Sequence, residues 1–123
     1  MSPLTALGRF TGGTCAAIGG LQLLGGTAVE PGMSADPTVD SYVRFMGTVF
    51  AGYGLGWLKA ARGPEPDLAR MRLLAGLMAV GGLGRVIARA EVGPPHRFHD
   101  VLLAIELAAP VLVEVAARAD RRR

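Results

Sequence analysis

The stretch Val101–Val113, VLLAIELAAPVLV, contains one charged residue, Glu106, in an otherwise apolar run. A carboxylate inside an apolar helix is costly in lipid and in a protein core alike, so it requires a partner or a proton. Two arginines occupy comparable places in the preceding apolar segments, Arg44 in RFMGTVFAGYGLGW and Arg85 in LMAVGGLGRVIA. The pattern predicts a helical bundle assembled around these three groups.

The composition indicates that lipid is the solvent of this bundle. The chain has 123 residues, enough for one domain, and 50% of them are hydrophobic while only 19% are charged. A soluble domain of this size has a large surface to cover with polar groups. The 18 glycines would each cost about 1 kcal/mol in a water-soluble helix, whereas transmembrane helices use small residues for close approach.

Four apolar segments separated by Pro- and Gly-containing turns predict an all-α, four-helix transmembrane bundle in a single domain, residues 1–123. We expect Asp40 or Ser41 to cap the second helix, Trp57 to anchor its end at the interface, and Pro110 to kink the fourth helix mildly. The predicted helices cover about residues 5–28, 41–61, 68–90 and 98–118. The alternative is a soluble four-helix bundle, but the charge-free runs 45–58 and 73–84 show no polar face.

The distribution of basic residues predicts the orientation. Nine of the 13 Lys and Arg residues fall on the side of the two termini and the 62–67 turn, and four fall on the other side. The positive-inside rule then places both termini in the cytoplasm of a multi-pass protein of the bacterial inner membrane, with loop 30–41 outside. We interpret the run from Phe10 to Val29 as a mature helix, because it is too long for a signal peptide's apolar region and no typical cleavage site follows.

Small residues recur along the predicted helices and predict faces on which helices pack. They are Gly8, Gly12, Ala16 and Gly20 on the first helix, Thr48, Gly52 and Gly56 on the second, and Gly81 and Gly82 on the third. The first two helices offer more such surface than a bundle of this size needs for its own packing.

Depth along the helices, at about 1.5 Å per residue, places Arg44, Arg85 and Glu106 in the outer half of the bundle. The simplest way to avoid an unpaired charge is an Arg85–Glu106 pair, with Arg44 or His99 as a second donor. His99 lies seven residues before Glu106 and therefore shares its stripe. Two interpretations stay open: the cluster only specifies how the helices assemble, or it forms a site that binds a ligand or carries a proton.

Other motifs lead to no chemistry. His96 and His99 lack a third metal ligand, and the GYG at Gly52–Gly54 lies in a helical pattern rather than in a channel filter. Cys15 has no partner for a disulfide, and no nucleophile is paired with a base. Glu114 is expected to pair with Arg118, one turn further along the helix. The sequence therefore predicts a non-enzyme without metal or cofactor.

Several segments together resemble the domain-of-unknown-function 4345 family of small bacterial four-helix membrane proteins. The likeness covers almost the whole chain, and it implies a four-helix bundle with Arg44, Arg85 and Glu106 as the shared polar set, without an established activity. It lies in Glu30-Pro31, RFMGTVFAGYGLG, GGLGRVIA, Gly93-x-Pro95 and AIELAAP.

Three hypotheses on function follow. The leading one is an accessory or scaffold subunit of a larger membrane assembly, one that handles lipid or envelope components, because of the surplus small-residue surface. The alternative is an outer-half site for a lipid head group, quinone or other anionic amphiphile, with Arg44 and Arg85 as anion holders and Glu106 and His99 as proton handlers. Proton-coupled transport is third, since the four spans show no inverted repeat. The expected partners are membrane lipids and an integral membrane protein or a second copy, but not nucleic acid.

Overall fold

The computed structural model describes residues 1–123, which form four α-helices and one short 3-10 helix without any strand. The predicted all-α, four-helix class is confirmed. The helices are α1 (Pro3–Gly25), α2 (Pro37–Ala60), α3 (Leu68–Val92) and α4 (Arg97–Arg121), and the 3-10 helix Gly26–Val29 follows α1.

Helix α2 begins four residues before the predicted position because Asp36, and not Asp40 or Ser41, is its cap. The Asp36 carboxylate accepts hydrogen bonds from the backbone N–H groups of Thr38 at 2.9 Å and Val39 at 3.1 Å. Pro37 then occupies the first turn, where its missing N–H costs nothing because that N–H would have no helical partner. The Asp-Pro pair is a stronger start signal than the Asp-Ser pair that the prediction used.

Gly26 ends α1 in a conformation that requires glycine. Its φ is +60°, and a Cβ there would lie 2.0 Å from a carboxylate oxygen of Asp40. The absence of a side chain allows Asp40 of α2 to reach the backbone of the 3-10 helix. The end of α1 is thereby tied to the first turn of α2.

The four helices form two antiparallel hairpins, α1–α2 and α3–α4, and most interhelical contacts lie within each hairpin. The hairpins meet mainly at the end of the bundle that carries the two chain ends and the turn 61–67, called the core end here. Trp57 is only 1% exposed there, so the prediction that it anchors an interface is wrong. The core cluster consists of Leu4, Trp57, Ala60, Ala61, Met71, Ala75, Ala109, Val113, Ala116 and Ala117.

Glycine pairs bring α1 and α2 to backbone contact. A Cβ on Gly54 would lie 2.5 Å from the backbone nitrogen of Ala16 and 2.6 Å from the carbonyl oxygen of Gly12. A Cβ on Gly19 would lie 2.4 Å from the backbone nitrogen of Ala51. Gly20, which the four-residue spacing selected, has no neighbouring atom within 4 Å. A strict spacing of four drifts by about 40° per step around a helix of 3.6 residues per turn, so the contact passes from Gly20 to Gly19.

The remaining predicted packing residues divide in the same way. Gly8 lies against Met71 and Ala61, and Gly82 lies against Leu107. Gly56 faces Leu74 at 3.6 Å. Three others, Thr48, Gly52 and Gly81, do not pack against another helix. Thr48 is exposed, and a Cβ built on Gly52 or Gly81 would meet no atom within 4 Å.

One helix, Leu68–Val92, is long and apolar enough to cross a membrane, and only 17% of its apolar window is buried inside the fold. A core helix of a soluble protein would be mostly buried. The other three helices do not meet the same measure of length and apolarity.

Candidate functional site

An arginine–carboxylate pair links α3 to α4 in the half of the bundle away from the core end, called the loop end here. Nε of Arg85 lies 2.8 Å from Oε2 and 3.1 Å from Oε1 of Glu106. The Glu106 side chain is 18% exposed and that of Arg85 37%. Gly82, one turn before Arg85, allows this approach, since a Cβ there would lie 2.9 Å from Leu107 and 3.4 Å from Glu106.

His99 extends this pair to the loop between α1 and α2. Its Nε2 lies 2.8 Å from the carbonyl oxygen of Pro31, and its Nδ1 lies 3.4 Å from Nη1 of Arg85. Because a carbonyl oxygen only accepts, the imidazole carries its hydrogen on Nε2, and Nδ1 is free to accept from the guanidinium. His99 therefore connects the two hairpins at the loop end.

Arg44 belongs to a separate group and supplies no second donor to Glu106, contrary to the prediction. Its Nε donates to Asp40 at 2.8 Å, and its Nη1 donates to the carbonyl oxygens of Leu23 at 3.1 Å and Leu24 at 2.8 Å. Carbonyls at the end of a helix lack helical partners, so a guanidinium there is favourable. The four-residue spacing of Asp40 and Arg44 is a local signal for this pair.

Asp40 is held ionised at the beginning of α2, ahead of the charge-free run 45–58. It accepts from the backbone N–H of Thr27 at 2.9 Å as well as from Arg44. The Arg44 guanidinium and the Thr27 hydrogen bond lower the pKa of the Asp40 carboxyl below its ordinary value. This group stabilises the α1–α2 connection.

Arg85–Glu106 is one of three such pairs between α3 and α4. At the core end, Arg72 bonds Glu114 at 2.6 and 3.2 Å, so the expected Glu114–Arg118 pair is wrong. The third pair joins Arg89 and Asp100 at the loop end, with two contacts of 3.3 Å. Each arginine lies on α3 and each carboxylate on α4, in the order that an antiparallel hairpin requires.

An open pocket of about 240 Å³ lies beside this charged cluster. Its polar lining consists of Arg85, Arg89, His99 and Asp100, and Met33 and Pro95 contribute from the two loops. Nη2 of Arg85 and Nη1 of Arg89 donate to no protein atom. The pocket therefore offers guanidinium donors that are still available to a ligand.

The structure thus brings together three of the four predicted site residues and leaves Arg44 with the α1–α2 connection. Sequence reasoning missed Arg89, Asp100 and the Pro31 carbonyl. The first two could have been found by aligning α3 and α4 as an antiparallel hairpin on the Arg85–Glu106 pair, because Arg89 is one turn further along α3 and Asp100 about two turns back along α4. No group of three or more His, Cys, Asp or Glu side chains is arranged to hold a metal ion.

The fold and this cluster define a four-helix protein of two hairpins, joined at one end by an apolar core and connected at the other through His99. The chain belongs to the family described as Domain of unknown function (DUF4345), whose model matches residues 4–117. No curated protein and no solved structure matches the chain at a significant level.

Proposed function

We propose that the chain is a multi-pass integral membrane protein of a bacterial inner membrane, with both chain ends and the turn 61–67 in the cytoplasm. Support comes from large apolar side chains that project outward on all four helices, with Leu24 79%, Phe45 68%, Ile87 61% and Val111 63% exposed. Soluble monomers rarely expose such extensive apolar surface. The excess of arginine at the core end supports this orientation.

Membrane insertion and orientation are tested by cysteine labelling in spheroplasts. In a Cys15→Ala background, Ser34→Cys and Glu65→Cys place single thiols at exposed positions in the two opposite sets of loops. We expect a membrane-impermeant maleimide to label position 34 in intact spheroplasts and position 65 only after permeabilisation. The reverse pattern would contradict the orientation, and extraction of the protein by alkaline carbonate would contradict membrane insertion.

Within that membrane, the protein acts as an accessory or scaffold subunit of a larger assembly that handles lipid or envelope components. The observation that carries this proposal is the outward face of α1. Gly13, Ala17 and Gly20 form its middle between the exposed Phe10 and Leu24, and no atom lies within 4 Å of a Cβ built on either glycine. In lipid, small residues of this kind let a second helix approach closely.

The test is the double substitution Gly13→Leu with Gly20→Leu, with Gly52→Leu on the outward face of α2 as the matched control. We expect gentle crosslinking in native membranes, followed by mild detergent, to recover the wild-type protein in a complex of fixed stoichiometry. The double variant should lose this complex while its thermal stability is unchanged or higher, because the substituted positions contact nothing in the fold and leucine has the higher helix propensity. Gly52→Leu should retain the complex, and a wild-type protein recovered only as a monomer would refute the proposal.

A second candidate function is a site in the outer half for the head group of an amphiphile. The pocket at the loop end favours it, because the guanidinium groups of Arg85 and Arg89 have unused donors there. Arg89 takes the role that the sequence analysis assigned to Arg44. Intramembrane and interfacial charges of this kind mark ligand paths in many membrane proteins.

A further inference from the structure

We infer that the pocket at the loop end binds the zwitterionic head group of a phospholipid, with the phosphodiester on Arg85 and Arg89 and the ammonium group beside Asp100. This inference rests on the second candidate function above and names its ligand class. It departs from the expectation of an anionic amphiphile, because the charge balance of the pocket favours a zwitterion.

The two arginines are oriented before any ligand arrives. Nε of Arg85 is held by both oxygens of Glu106, and Asp100 accepts from Nε and Nη2 of Arg89. Each guanidinium therefore keeps one unpaired Nη group, while its plane is fixed by a carboxylate on α4. Guanidinium groups held in this way suit the oxygens of a phosphodiester.

The charges of the cluster sum to zero. Arg85 and Arg89 contribute two positive charges, and Glu106 and Asp100 contribute two negative charges. His99 adds none in the tautomer that donates to Pro31 and accepts from Arg85. An anionic head group would leave one uncompensated negative charge beside the carboxylates of Glu106 and Asp100, whereas a zwitterion leaves the sum at zero.

Asp100 supplies the negative partner that a zwitterion needs. It lines the pocket together with the arginines, and its side chain remains 35% exposed while it bonds Arg89. A primary ammonium group donates up to three hydrogen bonds, so a carboxylate oxygen already shared with Arg89 can accept from it too. Phosphate and ammonium sites therefore lie side by side in one pocket.

The depth of the pocket fits a lipid head group rather than a free solute. Gly93 and Pro95 of the α3–α4 turn form its rim, and Arg85 lies seven residues before the end of α3, about 10 Å deeper along the helix axis. That interval covers the interfacial region of a bilayer, about 5 to 7.5 Å thick on each side, and ends just inside the hydrocarbon core.

The test is native mass spectrometry of the purified protein in detergent, with equal amounts of phosphatidylethanolamine and phosphatidylglycerol that carry identical acyl chains. We expect the wild type to retain the zwitterionic lipid about tenfold better than the anionic one. Arg89→Gln should lower that retention about tenfold, because a charge-assisted hydrogen bond is lost. Asp100→Asn should reverse the preference toward phosphatidylglycerol, since the cluster then carries one net positive charge.

Glu114→Gln is the matched control, because it breaks the equivalent α3–α4 pair at the core end and should change neither retention nor preference. Exposed pairs such as Arg89–Asp100 contribute little to stability, and circular dichroism will check that all variants are folded. Asp100→Glu keeps the charge and should keep the wild-type preference. A wild type that prefers phosphatidylglycerol would overturn the inference and leave the head-group site standing. Retention of neither lipid would overturn both.

Discussion

Replacing Glu106 with leucine is expected to lower the free energy of unfolding by about 3 kcal/mol, because Arg85 then remains in an apolar bundle without its carboxylate. The value lies at the lower end for a broken buried pair, since the Arg85 side chain keeps 37% exposure. Replacing both partners, Arg85→Met with Glu106→Leu, removes the orphaned charge and should restore stability to within about 1 kcal/mol of the wild type. Unfolding by sodium dodecyl sulfate in mixed micelles measures the stability of the wild type and of both variants.

The matched control for these substitutions is the pair Arg72–Glu114. It joins the same two helices, and its side chains are 50% and 41% exposed. The substitutions Arg72→Met and Glu114→Leu should change stability little, because solvent reaches a charge that loses its partner there. If Glu106→Leu were as harmless as Glu114→Leu, the fourth helix would not depend on a neutralised glutamate. The bundle would then have to be explained by packing alone.

The double variant Arg85→Met with Glu106→Leu also separates the structural interpretation of the cluster from the functional one. Its charges are removed as a pair, so the fold is expected to persist while the pocket loses one of its two arginines. Loss of bound head group in a folded protein would assign the cluster to binding. Undiminished binding in the same protein would assign the pair to helix assembly alone.

The Arg85–Glu106 pair could be predicted from sequence because so few charges lie in the apolar runs that each has few candidate partners. Arg44 could not be placed in this way. Depth along a helix was estimated from its ends, but depth does not say which neighbour a side chain faces. The local spacing to Asp40 and the free carbonyls at the end of α1 decided its position.

Trp57 illustrates a second limit of the sequence. A tryptophan at the end of an apolar helix is typical of a membrane interface, yet the hairpins converge at that end and bury it. Convergence depends on how two hairpins cross, and that is a property of packing between segments distant in sequence. The four helices themselves followed from composition and turn residues, which act locally.

Gly19→Ala is expected to destabilise the protein by about 3 kcal/mol, whereas Gly20→Ala should be neutral or stabilise it by up to about 1 kcal/mol. The added methyl group at Gly19 would lie 2.4 Å from the backbone nitrogen of Ala51 and 2.5 Å from the carbonyl oxygen of Gly47. Backbone atoms cannot rotate away, so α1 and α2 would have to separate. At Gly20 the same methyl group meets nothing within 4 Å and only improves the helix propensity.

The facing helix offers an independent repeat of this comparison, with Gly54→Ala as the disruptive change and Gly52→Ala as the harmless one. Thermal unfolding of the four variants in one detergent gives the measurement. Similar melting temperatures for Gly19→Ala and Gly20→Ala would contradict the close α1–α2 contact. A larger loss of stability for Gly20→Ala than for Gly19→Ala would mean that α1 contacts α2 through the residues spaced four apart, as the sequence alone suggests. The face of α1 that carries Gly13 and Ala17 would then not point away from the bundle.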